Sequence, residues 1–464
     1  MAPETSSGPD GLPAPRRYWA MSAIVLTMTL CVLQVSLANV ALPSIARYFN
    51  ATTTQSIWVT NTFLIAMLVA MLPLAALGDR IGQRRVSQTG LAVFTAASLG
   101  CAFSQSLVAL CIARVLQGLG AAGMLSVYGA LIRFTYPQRM LGRAVGINSF
   151  VAGASAVAGP PLASVILAVA DWRWLFASVV PLGVFAFFVG ARALPTPDRE
   201  RRPIDPVGIL LNVTTFGLLT IGIQSLAQED GVGLAGLEIA TGALLAYLFA
   251  RHELAQANPL LPLDLLRVPR FALSILTSML SFMAATAALI AVPFEIERLG
   301  YSAAQIGLLM TPWPVALAVV APIAGKLADR YSADSLGAIG LVLFACGLCC
   351  LMFHAPQAGI PDFLWRAALC GVGFGLFQSP NLRLILSSAP IARSGAAGAI
   401  QNAARLLGQS LGATIVALLF RFFPSTGSKV TLGVAAGVAL VAAGASASRL
   451  RLRASPAQLN EAAG

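Results

Sequence analysis

Apolar stretches follow one another from about Tyr18 to about Ser448, separated by short polar breaks. A helix needs about 20 mostly apolar residues to cross the hydrocarbon core of a bilayer. On that measure the pattern predicts fourteen spans, at 18–42, 55–77, 87–105, 108–132, 144–168, 174–191, 207–226, 233–251, 271–293, 303–323, 335–353, 364–386, 398–420 and 429–448. No polar stretch is long enough for a sizeable soluble domain, so the fold class is an all-α integral membrane protein. Residues 1–17, rich in Pro, Ser and Gly before the first apolar run, read as a disordered cytoplasmic tail and not as a cleaved signal peptide.

The pattern repeats. Asn39-Val40-Ala41-Leu42-Pro43 and Leu289-Ile290-Ala291-Val292-Pro293 end spans 1 and 9 with their prolines 250 residues apart, and Leu77-Gly78-Asp79-Arg80 and Leu327-Ala328-Asp329-Arg330 end spans 2 and 10 at the same offset. Leu116-Gln117-Gly118-Leu119-Gly120 matches Leu369-Cys370-Gly371-Val372-Gly373 at 253. Three matches in order at nearly one offset imply two similar six-helix halves. The offset is eight spans, an even number, so the repeats are parallel. The expected division is an N-terminal bundle at 18–191, a cytoplasmic linker at 192–206, two extra helices at 207–251, a second linker at 252–270, a C-terminal bundle at 271–448 and a cytoplasmic tail at 449–464. Two facing parallel halves are an architecture of secondary transporters.

Composition agrees: 57% of residues are hydrophobic and 10% charged, against roughly 25% charged in soluble domains. A net charge of +12 raises nucleic acid as a partner, and the placement of the charge removes it. With a cytoplasmic amino terminus, 22 of the 30 basic residues fall in inner segments, six in outer ones, and Arg114 and Arg405 within spans. This asymmetry places both termini in the cytoplasm. The seven cysteines all lie in apolar runs, which suits packing. His252 and His354 fall in predicted loops with no metal or haem constellation. Gly118 to Gly123 and Gly231 to Gly236 fit GxGxxG but follow no soluble strand. No cofactor or metal is expected, and no enzyme activity.

Among the polar positions, Asp79 sits in Gly78-Asp79-Arg80-Ile81-Gly82-Gln83-Arg84-Arg85. A carboxylate there can pair with a guanidinium or with another helix's amino end and so gate one side of the protein, with Asp79, Arg80, Arg84, Arg85, Asp329 and Arg330 as the gating set; a solvated turn with basic anchors is the alternative. Arg114, well inside span 4, is costly unless it faces a cavity or a partner. Arg405 either serves the cavity or reaches the interface. Gly159 and Pro160 in span 5 suit either a hinge or tight static packing. None of the 18 acidic residues falls in the middle of a span. Glu295 and Glu297, just after Pro293, are the expected proton carriers if protons are coupled, with Arg114 tuning them; they are otherwise plain outer-loop charges.

Gly78 to Arg85, Arg114 to Gly120, Ala158-Gly159-Pro160 and Asp171-Trp172-Arg173-Trp174-Leu175-Phe176 resemble motifs of the major facilitator superfamily, and within it the fourteen-span drug:proton antiporters. The resemblance runs from about span 1 to span 14. It implies export of small amphipathic molecules across a bacterial inner membrane by proton antiport, gating by Asp79, Arg80, Arg84 and Arg85, a proton-relay or cavity role for Arg114, and a hinge at Gly159 and Pro160. The chain departs from the pattern at Ala75, at Ala163-Ser164 and above all at Gln34, where the family places an aspartate five residues before Asn39. An amide takes up no proton at physiological pH, so coupling has to be found elsewhere, with Gln34 and Asn39 left as polar groups of the cavity. A small-molecule substrate, protons and the lipid bilayer are the expected partners, and a monomer the expected state. The readings left open are a drug exporter, a facilitator or exporter of one neutral or anionic metabolite, and a transport-like receptor or membrane enzyme.

The arginine asymmetry predicts that the segment from Arg192 to Arg202 is cytoplasmic. A cysteine placed at Arg201, in a background without reactive native cysteines, should resist a membrane-impermeant reagent in intact cells and react in inverted vesicles; labelling in intact cells would invert the topology.

Overall fold

The computed structural model describes residues 11–137, 140–196, 205–226, 232–256, 260, 263–354, 359–388 and 394–450. Arg139, Arg199, Arg201, Arg202, Arg393, Arg451 and Arg453 lie outside them, as do the side chains of Arg143 and Asp329. Every regular element described is helical: α1 (Ala14–Tyr48), α2 (Thr53–Ile81), α3 (Gln83–Ala102), α4 (Leu107–Ser126), α5 (Tyr128–Thr135), α6 (Leu141–Val169), α7 (Arg173–Ala177), α8 (Val179–Ala193), α9 (Pro206–Ser225), α10 (Val232–Ala255), a short 3-10 turn (Leu263–Arg267), α11 (Pro269–Arg298), α12 (Ala303–Met310), α13 (Pro312–Arg330), α14 (Ala333–Met352), α15 (Gly359–Ser387), α16 (Ser394–Phe422) and α17 (Gly427–Ser448). Among the described residues thirteen helical stretches are long and apolar enough to cross a membrane. The fourteenth expected span is α3, whose first turns carry Gln83, Arg84, Arg85 and Gln88. A chain in lipid satisfies its backbone internally, which is why helix is the only regular structure available to these runs.

Helix starts follow local chemistry. Thr52 and Gln55 form a capping box at α2, and Ser302 and Gln305 form the same box at α12, 250 residues on. Prolines 43 and 293, which mark the repeat, do not end their spans: α1 continues to Tyr48 and α11 to Arg298. A missing N–H is tolerated inside a membrane helix where neighbours take up the freed carbonyl. Glu295 and Glu297 are therefore helical residues of α11 and not loop charges. At the other end, α1 begins at Ala14, inside the stretch expected to be a tail, because Arg16 and Leu12 have partners: Arg16 donates to the carbonyls of Ala193 and Leu194 (3.1 and 3.3 Å), and the Leu12 N–H to Thr135 (3.1 Å). His252, expected in a loop, lies in the last turn of α10.

The contacts divide the chain into two units, residues 1–219 with 240–246, and residues 220–239 with 247–464, so that the division runs through α9 and α10. In the first, α4 packs against α2 and α3, α1 against α6 and α8, and α3 against α8. In the second, α15 packs against α13 and α14, α11 against α16 and α17, and α14 against α17. The scheme is one and the same, shifted by one repeat. Close approaches also correspond: a Cβ on Gly90 would lie 2.8 Å from the carbonyl oxygen of Gly120, and one on Gly340 would lie 2.7 Å from that of Gly373. Gly118 meets the backbone of Phe63, and Gly371 that of Trp313. Small residues let backbones approach where no water-driven force acts between helices.

Gly340→Val should therefore force α14 and α15 apart and destabilise by about 1–3 kcal/mol, whereas Gly437→Ala in α17, which would meet nothing within 4 Å, should be neutral. Melting temperatures of the two purified variants in detergent check this; equal values would remove the packing argument.

Candidate functional site

Arg114 is fully buried in the first unit. Its Nε donates to the carbonyl of Val59 in α2 (2.9 Å), its Nη1 to Oε1 of Gln117 (2.5 Å), and Gln117 in turn donates to Ser98 of α3 (2.7 Å). The guanidinium carbon lies 4.3 Å from the ring centre of Phe63 and 5.8 Å from that of Phe176. Backbone oxygen, amide and aromatic faces thus replace the missing water around a cation. Nη2 has no partner, and no carboxylate of the described residues lies within ion-pair distance. Arg114 braces α2, α3 and α4. The polar groups of α1 stand apart from each other: Asn39 Oδ1 accepts from Thr60 of α2 (3.1 Å), whereas Gln34 is fully buried with both amide atoms unpartnered.

Asp79 is half-buried at the end of α2, and its Oδ1 accepts from Gln83 (3.2 Å). Gly82, at φ +105°, turns the chain directly into α3, a conformation that only glycine adopts readily. The arginines beyond it do other things. Arg84 donates to the carbonyl of Ala191 at the end of α8, beside the carbonyls that Arg16 holds, while Arg80 and Arg85 are exposed. Guanidiniums on the last carbonyls of a helix complement its negative end. Arg330 is exposed in the second unit.

Gly159 of α6 faces the side chain of Ser36 with no room for a Cβ, so α1 and α6 meet closely there; Pro160 and Pro161 lie within a continuous α6. Arg405 is half-buried in α16. Glu295 is 2% exposed and holds α11 to α17: both its oxygens accept from Arg298 (3.0 and 2.6 Å), and Ser428 donates to Oε2. The guanidinium that faces Glu295 is thus Arg298, three residues on along the same helix. Glu297 is half-buried on the same helix.

Two residues that the sequence did not single out form a buried polar cluster. Asp334, at the start of α14, and Arg449, just past α17, are both fully buried. Arg449 Nε lies 3.3 Å from Asp334 Oδ1; its Nη1 donates to Ser274 and Asn381 (2.7 Å each) and its Nη2 to Ser446 (2.5 Å). Arg270 donates to Asp334 Oδ2 (3.0 Å). Burial pulls the Arg449 guanidinium down to about 10, with Asp334 pulling the other way, so it stays charged at neutral pH. The tail expected from residue 449 thus begins inside the bundle. The repeat held a signal: Asp334 stands 250 residues after Arg84, at the position that clamps the last helix of the first unit. His354, expected in a loop, is 2% exposed just past α14 and meets Asp362 of α15 at 2.9 Å.

Removing one member of a buried pair leaves a bare charge and costs about 3–5 kcal/mol, whereas replacing the pair by apolar groups often restores stability. Asp334→Ala should lower the melting temperature in detergent well below that of Arg330→Ala, and Asp334→Ala with Arg449→Met should recover part of the loss. A single variant as stable as Arg330→Ala would show that the cluster bears no weight.

Residues 24–413 and 274–462 match the model of the Major Facilitator Superfamily. The chain is 46% identical to "Uncharacterized transporter YebQ" of Escherichia coli (strain K12), covering 95% of this chain and 97% of that one. It is 26% identical to "Riboflavin transporter RibZ" of Clostridioides difficile (87% and 89% covered) and 28% identical to "Multidrug efflux pump LfrA" of Mycolicibacterium smegmatis (92% and 85% covered). In fold it is similar to the inward-facing, occupied structure of a bacterial homologue of the human lysosomal transporter Spinster, with a TM-score of 0.71 over 95% of this chain and 99% of that one, at 14% identity. With its helical repeat, its close glycine crossings and these likenesses, the chain belongs to the Major Facilitator Superfamily of membrane transporters.

Proposed function

We propose that this transporter exports small amphipathic molecules, neutral or anionic in preference to cationic, by alternating access driven by proton antiport, with both termini on the cytoplasmic side of a bacterial inner membrane. The buried charge of the first unit carries this reading: Arg114 is fully enclosed, with no carboxylate of the described residues at ion-pair distance to offset it. In a low-dielectric interior one uncompensated cation at about 10 Å, with an effective dielectric constant near 20, biases a second charge by about 1.7 kcal/mol. That is roughly twentyfold against a cation. Export of small molecules is supported by the relative named as a multidrug efflux pump.

Glu295 is the proton carrier of this reading. It is a buried carboxylate whose hydrogen bonds join α11 to α17, so taking up a proton would loosen that joint and link charge to helix movement. Glu297, half-buried on the same helix, is the reserve. Asp79, Arg80, Arg84, Arg85 and Arg330, with Asp329, form the gate at the arginine-rich end, and Gly159 with Pro160 the hinge of α6.

A second reading, transport of one specific neutral metabolite without a proton, draws on Gln34. Its buried amide offers a donor and an acceptor with no partner, which suits a neutral cargo that hydrogen-bonds both ways, and one relative is named as a riboflavin transporter.

Proteoliposomes with an imposed pH gradient separate the two. Wild type should move neutral and anionic amphiphiles faster than cationic ones, and Glu295→Gln should abolish the dependence on the gradient. Full dependence in both Glu295→Gln and Glu297→Gln would remove these carboxylates from coupling; a preference for divalent cations would remove the charge argument.

A further inference from the structure

Beside the inner ends of α3 and α8 lies a cavity of about 370 Å³, a size that holds small ligands or lipid headgroups. Arg84, Arg85, Gln88 and Thr196 give it polar walls, and Ile81 and Phe187 apolar ones. The charged residues of its described lining, Arg84 and Arg85, are both positive. Arg84 is fixed by its bond to the carbonyl of Ala191 in α8. Arg85 is exposed and makes no ion pair with any described residue. Gln88 packs against the bare backbone of Gly190, and its Oε1 is buried without a donor. Among the described residues the cavity therefore offers no negative charge, and Gln88 Oε1 still wants a donor.

The wall beyond it states where such a ligand comes from. Val184, Phe185 and Phe188 of α8 are 44%, 54% and 56% exposed, a surface that in a membrane helix faces acyl chains. Two arginines on neighbouring positions, an unpartnered amide oxygen and an apolar flank match a lipid headgroup with its tails attached, as basic pockets between membrane helices do. We infer that this cavity holds an anionic phospholipid of the phosphatidylglycerol type. Its phosphate sits on Arg84 and Arg85, a headgroup hydroxyl donates to Gln88 Oε1, and its chains lie along α8. The leaflet is the one at the arginine-rich ends of the spans, cytoplasmic in the orientation proposed above.

The test uses the full chain, purified in a neutral detergent and supplied with phosphatidylglycerol, phosphatidylcholine or inorganic phosphate. Bound lipid is read by mass spectrometry of the intact complex and by the melting temperature. Phosphatidylglycerol should be retained and should raise the melting temperature by a few degrees; the other two should do neither. Arg85→Gln should weaken phosphatidylglycerol binding about fivefold, the factor for one basic residue at a charged membrane surface, while Arg133→Gln, an exposed arginine of α5, should not. Gln88→Leu keeps the test in force if Arg85→Gln fails to fold, and should likewise weaken phosphatidylglycerol binding. Equal retention of phosphatidylcholine, an equal shift with inorganic phosphate, or wild-type binding by a folded Arg85→Gln or Gln88→Leu would each overturn the assignment.

Discussion

The architecture rests on backbone meeting backbone. Lipid gives helices no hydrophobic reason to associate, so the attraction has to come from close dispersion contact and weak polar contacts. The crossings of Gly90 with Gly120 and of Gly340 with Gly373 supply it in each unit. From these crossings follows the placement of α4 between α2 and α3, and of α15 between α13 and α14. The polar side chains come after: once α2, α3 and α4 are this close, Val59, Gln117 and Ser98 are within reach of one arginine.

The two units then solve one problem with opposite chemistry. Each must finish the C-terminal end of a helix, α8 in the first and α17 in the second, where carbonyls lack partners. In the first, Arg16 and Arg84 reach across to α8 and take those carbonyls directly. In the second, the arginine belongs to the end itself: Arg449 turns inward from α17 and is met by Asp334, Ser274 and Asn381. The repeated sequence thus preserves the helix scheme while the charges that close it have been exchanged.

Much of this was legible in the residues. Apolar length placed the spans, and the offset of 250 joined positions that prove to make equivalent contacts, from the capping boxes to the glycine crossings. Arg114 announced itself because a cation within an apolar run is rare. What could not be read depends on neighbours distant in the chain. Pro43 and Pro293 look like helix ends and are not: α1 runs on to Tyr48 and α11 to Arg298. Arg449 looks like the first residue of a basic tail, and only Ser274, 175 residues earlier, makes it an interior group. Breaks such as Val127, between α4 and α5, have no residue signature at all.

The position of Arg449 also bears on how the protein is made. Chains are synthesised and inserted from the amino end, so α11, α14 and α15 enter the bilayer long before residue 449 leaves the ribosome. During that interval Asp334 has Arg270, already translated, as its companion. The ion pair with Arg270 is thus the provisional one and that with Arg449 the final one. The cluster begun by Asp334 and Arg270 is completed by a charge that follows α17, so the second unit closes on a group made after the helices that surround it.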